Sequence, residues 1–306
     1  MTYPRDMIGY GQTPPHPRWP GEARIALQFV VNYEEGAENC ILHGDAHSEA
    51  LNSDNVGVTA RQGERDLVTE SFYEYGSRAG YWRLMRLFDE RGIKTTVFAI
   101  GMAIERHPDV GRHAVVGGHE MCCHGWRWID YRRIPEAEER DHIERAVNAI
   151  ERASGEKPVG WYTGRVSERT RRLVAADGRF IYDSDAYNDD LPYWLDVGGK
   201  PWLVVPYAFD TNDMRFASAP GFNTGSQFFE HLRDTFDFLY REGATSPKMM
   251  SVGLHCRLAG RPARAAALER FLDHALAQPG VWICRRDQIA RHWMSHHAPA
   301  VLAPAG

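Results

Sequence analysis

Short apolar runs recur along this chain, and most are followed by a segment whose apolar residues repeat at helical spacing. This alternation constrains the fold more than any other feature, because strands joined through helices return to their sheet in parallel. The runs predict strands over 25–31, 95–100, 119–123, 159–162, 180–183, 203–206, 249–254 and 281–284. Helices are predicted over 78–91, 135–153, 168–176, 226–242, 262–277 and 286–296. Two of them carry clear core stripes: Tyr81, Leu84, Met85, Leu87 and Phe88, ended by Gly92, and Phe228, Phe229, Leu232, Phe236 and Leu239, ended by Gly243. The pattern reads as α/β with a parallel sheet, open or closed into a barrel.

No Pro/Ser-rich linker divides the chain, so residues 1–306 are expected to form a single catalytic domain. Residues 1–23 are rich in Pro and Gly and read as an irregular arm, and 297–306 as a loose tail. Residues 37–72 and 184–225 are the long irregular insertions, and long loops in a compact domain usually carry function. A net charge of −5 offers no basic surface for nucleic acid or an anionic membrane. No apolar run approaches the roughly 18 residues of a membrane span, and Met1–Asp6 lacks the layout of a signal peptide. A cytoplasmic setting follows as the default. The five cysteines are odd in number and lack CxxC spacing, so they are expected to be reduced thiols.

The polar residues gather at strand ends. The run Ile25–Val31 leads into Asn32-Tyr33-Glu34-Glu35-Gly36, a pair of carboxylates and a glycine. Adjacent buried carboxylates repel, which raises at least one pKa toward neutrality and makes a proton-transfer group. A second run closes on His124-Gly125-Trp126-Arg127-Trp128, and a third on His255-Cys256-Arg257. The fourth adds Gly160-Trp161-Tyr162-Thr163-Gly164-Arg165, and the fifth Asp183-Ser184-Asp185. In a parallel sheet these ends share one face, where such folds assemble their active sites. Arg165 and Arg257 are rigid, bidentate donors suited to a carboxylate or a planar urea-like or imide group. Trp126, Trp128, Trp161 and Tyr162 offer flat walls for a small planar ligand.

Other chemistries find less support. No GxGxxG or GxxxxGK[ST] suggests a nucleotide, and no GxSxG elbow suggests a serine nucleophile. Cys123 and Cys256 adjoin histidines and leave a cysteine nucleophile open. Glu35, His124 and His255 could form a two-His-one-carboxylate metal site, although no HxH or HxxxH pair sets two imidazoles on one element.

These motifs, in this order, resemble those of the polysaccharide deacetylase (NodB-homology) superfamily. Its TFDDG motif corresponds to Asn32–Gly36, its GHE and H[ST]xxH to Gly118-His119-Glu120 and His124–Trp128, its arginine motif loosely to Trp161–Arg165, and its LxLHD to Val252–Cys256. The family's metal ligands would fall on Glu35, His124 and Trp128, so one is lengthened and one abolished. These departures, with Asp6–Gly11, Tyr73–Arg78 and Tyr182–Asp185, are similar to the cofactor-independent allantoinase branch, over nearly all of residues 3–293. Residues 46–66 match least.

The resemblance implies a distorted (β/α) barrel of about seven parallel strands of NodB type. It also implies a homotetramer that opens the hydantoin ring of allantoin to allantoate without a cofactor or metal. Related cyclic amides or imides, and a metal-dependent deacetylase, are the alternative activities. It places Glu34 as the general base, with Glu35 raising the pKa of Glu34 or orienting His124. His255 becomes the general acid and His124 a donor to the oxyanion or the water. Arg165 and Arg257 would grip substrate carbonyls, with Trp128 and Tyr162 as walls.

Overall fold

We describe residues 5–299 of a computed structural model of the protein; the first four residues of the expected arm, and 300–306 of the expected tail, lie outside them. Nine strands form one sheet: β1 (Ile25–Tyr33), β2 (Thr96–Ala99), β3 (Glu120–Cys123), β4 (Gly160–Trp161), β5 (Tyr182–Asp183), β6 (Tyr193–Asp196), β7 (Pro201–Val204), β8 (Lys248–His255) and β9 (Val281–Ile283). Their order is β6-β7-β5-β4-β3-β2-β1-β8, and β9 joins through β1. The sheet is curled and mostly parallel, as expected of a distorted barrel, with β6 and β7 its antiparallel pair. Sequence reasoning missed β6, which lies within the insertion expected to be irregular.

β1 is the axis of the sheet. One of its edges pairs with β8 from Ile25 to Asn32. The other is divided: Ile25–Leu27 pair with β9 and Val30–Tyr33 with β2. The far ends of the sheet do not pair. Among the described residues a lone parallel bridge, Asn212 to Gly253, reaches β8 from beyond β7.

Because side chains alternate along a strand, β1 feeds two cores. Ile25, Leu27, Phe29, Val31 and Tyr33 face the helices, where Phe29 packs against Phe88 and Phe271 at 5.3 and 6.2 Å. Ala26 and Val30 face the barrel interior, with Phe98, Cys122, Tyr162 and Tyr207. Burying one large apolar side chain stabilises the fold by about 1.5–3 kcal/mol. Both faces of β1 do so, which is why Gln28 is its one polar residue before Asn32.

The helices are α1 (Leu67–Tyr75), α2 (Tyr81–Asp89), α3 (Gly101–Arg106), α4 (Pro108–Val116), α5 (Glu136–Ser154), α6 (Thr170–Asp177), α7 (Gly225–Glu242), α8 (Pro262–Leu276) and α9 (Arg286–His296). Neither α1 nor the pair α3–α4 was expected. α1 starts on Asp66, whose side chain accepts the Val68 and Thr69 N–H groups, and a π-helical turn, Gly76–Gly80, carries it into α2. Within residues 5–23, Pro20–Glu22 forms a 3₁₀ turn, and Trp19 before it buries its ring and donates to the Lys248 carbonyl at 3.1 Å. No helix among the described residues is long and apolar enough to cross a membrane.

α9 starts inside the barrel. The buried Arg286 guanidinium donates to Gln28 Oε1 (2.5 Å), Ser251 Oγ (2.9 Å), Ser184 Oγ (3.0 Å) and the Pro206 carbonyl (2.8 Å), and to the Val205 carbonyl. It ties β1 and β8 to the ends of β5 and β7 where no strand ladder closes the curl.

Candidate active site

Three strand ends deliver the titratable residues. After β1 the chain turns at once: Ala37 N–H donates to the Glu34 carbonyl at 3.0 Å, and Gly36 takes φ of 89°, which glycine adopts without strain. The pleat continues through this turn. Glu34 follows Gln28 and Asn32 into the interior, whereas Glu35 follows Val31 and Tyr33 toward the helices. His124 closes β3, its N–H on the Ala99 carbonyl at 2.9 Å. His255 closes β8 directly opposite Asn32.

The Glu34 carboxylate is the hub. Its Oε1 lies 3.2 Å from His124 Nε2 and 3.6 Å from His255 Nε2, and its Oε2 accepts from Arg257 at 2.7 Å. Burial would push this carboxyl up, but Arg257 and then His255 outweigh burial and hold it well below the usual carboxylate range. Glu34 is therefore ionised at neutral pH, not lifted toward neutrality by its neighbour as the sequence suggested.

His255 is held from behind. Asp213 Oδ1 lies 2.6 Å from its Nδ1, and Asp213 Oδ2 accepts the His255 and Ala259 N–H groups at 2.7 and 2.8 Å. Burial opposes a charge on this imidazole, yet Glu34 and Asp213 together push it up to about 9. At neutral pH it carries a proton, with Nδ1 fixed on Asp213 and Nε2 turned to Glu34. Sequence reasoning missed Asp213, which sits in a 3₁₀ turn (Asp213–Ala217) of the second insertion. An isolated Asp within Thr211-Asn212-Asp213 gave no periodic signal by which to find it.

Glu35 sits outside this cluster. Its Oε2 accepts the Glu34 N–H at 2.8 Å, its Oε1 lies 3.4 Å from Arg257, and it makes no hydrogen bond to His124. Burial pushes Glu35 above its ordinary range against the pull of Arg257, and the Glu34 charge adds to the push. A Cβ on Gly76 would come within 2.3 Å of Glu35 Oε1, so the glycine of the π-helical turn makes room for the carboxylate. Arg257 is likewise spoken for, since its Nε donates to the Asn52 carbonyl at 2.6 Å and its other groups meet the two glutamates. It lies 4.2 Å over the Tyr73 ring. The arginine expected to grip substrate instead spends its fork on the two glutamates.

The cluster forms the floor of a cavity of about 260 Å³ whose walls include Trp128, Tyr162, Arg165, Tyr207 and Asn212. That volume falls just below the roughly 300 Å³ at which drug-sized pockets begin, and suits a small ligand. Trp128 is fixed through its N–H on the Ala37 carbonyl at 3.0 Å, and Arg165 stacks on its indole at 3.7 Å. Arg165 Nη1 lies 3.3 Å from the Trp128 carbonyl, and its Nη2 is buried without a partner. It is the expected arginine whose fork keeps a free donor. Trp126 and Trp161 pack in the helix-facing core and are not walls. Asp185 accepts the Thr163 and Gly164 N–H groups, and Asp183 is paired with Arg171, so these acids shape loops beside the site. A larger cleft of about 670 Å³ adjoins through Arg165 but holds none of the titratable cluster.

The metal of the superfamily does not fit these residues. Position 128 presents an indole, Glu35 turns to the helices, and the Arg257 guanidinium already neutralises Glu34. A protonated His255 adds a second positive charge where a cation would need to sit. Among the described residues no group of three or more His, Cys, Asp or Glu is arranged to hold a metal ion.

Known proteins resemble this chain in sequence and in fold. The polysaccharide deacetylase family matches residues 64–179. A Schizosaccharomyces pombe protein grouped with the polysaccharide deacetylases is 41% identical over 312 residues, covering 96% of this chain and 98% of that one. The chain belongs to the polysaccharide deacetylase family. Two solved structures of similar size superimpose closely. The structure of PuuE allantoinase is 57% identical with a TM-score of 0.96, covering 98% of this chain and all (100%) of the other. A Pseudomonas aeruginosa PAO1 protein described as a polysaccharide deacetylase is 58% identical with a TM-score of 0.95, covering 97% and 100%.

Proposed function

We propose that the chain is an allantoinase: it hydrolyses the hydantoin ring of allantoin to allantoate with its own side chains and no metal. The observation that carries this reading is the ionised Glu34 carboxylate, held by Arg257 and facing two imidazoles at the floor of a small flat-walled cavity. The 57% identity to PuuE allantoinase across nearly the whole chain supports the choice of ring.

Ring opening forms a C–O bond and breaks a C–N bond. Water between Glu34 and the ring carbonyl gives its proton to the carboxylate as its oxygen attacks, and the carbonyl electron pair moves onto the oxyanion. Collapse restores the carbonyl and expels the ring nitrogen, which takes the His255 Nε2 proton. Glu34 then returns its proton to His255, and the new carboxylic acid ionises. This return re-forms the ion pair that holds Glu34 below the usual carboxylate range and His255 above its ordinary one. Its re-formation resets the site after each turnover. Arg165, with its free Nη2, would bind a carbonyl of the ring or ureido arm, and Trp128 and Tyr162 would flank the ring.

Ring-opening assays with allantoin, hydantoin and succinimide, read by NMR, test the assignment. Allantoin should give the highest kcat/KM. Preference for succinimide would reassign the chain to cyclic imides, and release of acetate from an acetylated glycan oligomer without ring opening would make it a deacetylase. A homotetrameric state belongs to the same proposal, and light scattering of the purified chain tests it.

A further inference from the structure

A developing oxyanion needs a donor that is not already engaged. His124 Nε2 faces Glu34, His255 is committed to the leaving nitrogen, and Arg257 is bound to both glutamates and the Asn52 carbonyl. Arg165 stands at the rim shared with the outer cleft. The phenol of Tyr207 also lines this cavity.

Tyr207 is buried, lines the cavity and packs between Phe98 and Tyr162 at 5.3 and 5.2 Å. Its oxygen accepts from Asn32 Nδ2 at 3.2 Å and Asn212 Nδ2 at 3.1 Å. Both amide orientations are fixed independently. Asn32 Nδ2 also donates to the Leu254 carbonyl at 3.2 Å, and Asn212 Oδ1 accepts the Met214 N–H at 2.9 Å. With two N–H groups on the phenolic oxygen, both its lone pairs are used and only its O–H remains to be placed. No acceptor for that hydrogen occurs among the described residues.

Two features polarise the O–H. Accepting two hydrogen bonds makes a hydroxyl a stronger donor. The Arg286 guanidinium, which makes no ion pair among the described residues, lies 5.6 Å over the Tyr207 ring. The backbone is shaped for this oxygen, since a Cβ on Gly253 would fall 2.2 Å from it and 2.2 Å from Asn212 Nδ2. Burial keeps the phenol protonated by pushing its pKa up.

We propose that Tyr207 is the oxyanion donor, its O–H aimed by Asn32 and Asn212 at the carbonyl oxygen that becomes negative as water attacks. This rests on the allantoin reading. Loss of an oxyanion-hole donor costs about 10²–10³ in kcat. Tyr207→Phe should lose that much in kcat while KM changes by less than about threefold.

Because that variant also strips a partner from Asn212, a second one is needed. Tyr207 replaced by 3,5-difluorotyrosine keeps the oxygen, the shape and both accepted hydrogen bonds, but its phenol ionises at lower pH. Its kcat below the His255 limb should match or exceed that of the wild type, because a more acidic phenol is the stronger hydrogen-bond donor while it stays protonated. Wild-type turnover of allantoin in the same series tests the underlying reading, and without it both proposals fall. If the wild type turns over, a Tyr207→Phe enzyme with normal kcat, or a fluorinated enzyme as slow as Tyr207→Phe, overturns the role of Tyr207 alone.

Discussion

On the inner face of β1, Glu34 follows Gln28 and Asn32 into a polar cavity; on the outer face, Glu35 follows Phe29, Val31 and Tyr33 against the helices. Both carboxylates are buried, at 1% and 4% exposure, yet their pKa values move in opposite directions. Burial therefore does not decide the sign. Partners do: Glu34 meets Arg257 at 2.7 Å and two imidazoles, whereas Glu35 has a backbone N–H and a more distant arginine contact at 3.4 Å. Two identical side chains one residue apart are thus given different work by a twofold periodicity. In the proposed reaction one moves a proton and the other positions the first.

The largest expected effect tests that division. Glu34→Gln keeps the shape and removes the base, so kcat should fall by about 10²–10⁴. Glu35→Gln should keep kcat within about tenfold, as one neutral hydrogen bond replaces a weakly paired carboxylate. Steady-state kinetics on both variants decide it, and equal losses would erase the distinction between the faces. Next in size, Arg257→Met leaves Glu34 buried without its cation. Removing one partner of a buried pair costs about 3–5 kcal/mol of stability, measurable by urea unfolding; a loss below 1 kcal/mol would mean the pair is not what anchors Glu34.

A smaller effect comes from the outer side. Gly76→Ala drives a methyl to within 2.3 Å of the Glu35 carboxylate, and such overpacking costs about 1–3 kcal/mol. Combining it with Glu35→Ala should recover part of that loss, since the clash goes with the carboxylate. Purely additive losses would place the strain elsewhere.

The smallest effect is a displaced pH limb. His255 is raised from its ordinary 6.5 to about 9, so its stabilising interactions are fully present below about 6.5 and disappear as pH rises through about 9. Activity that needs its proton should fall over the same upper range. Asp213→Asn removes one charge that raises it, and kcat/KM should then begin to fall at lower pH. An unmoved limb would separate Asp213 from His255 titration.

Much of this was legible in the chain. The strand ends carrying Glu34, His124 and His255 follow directly from apolar runs, and their convergence follows from the parallel sheet. The split of Glu34 from Glu35 was also available, since Ile25 to Tyr33 alternates between two cores and the next two residues continue that alternation. What remained hidden depends on contacts across long sequence separations. Asp213 and Tyr207 lie in an insertion without periodicity, and their meaning comes from His255, Asn32 and Gly253, residues brought near by the seam of the curled sheet. Arg257 is as visible as Arg165 in the sequence, but only the tertiary placement shows that its fork is already filled. β6 and α1 escaped for a local reason: a strand of three half-buried residues and an exposed Asp196, and a short helix capped by Asp66, lack the apolar repeat that marks their neighbours.

The central claim is that Arg257 and the two imidazoles, not a metal ion, prepare Glu34 for catalysis. Its most direct test is allantoate release from racemic allantoin by chelator-treated protein whose metal content has been measured. Full turnover with metal well below one equivalent is the predicted result. Loss of activity on stripping, restored by adding a divalent cation, would contradict it.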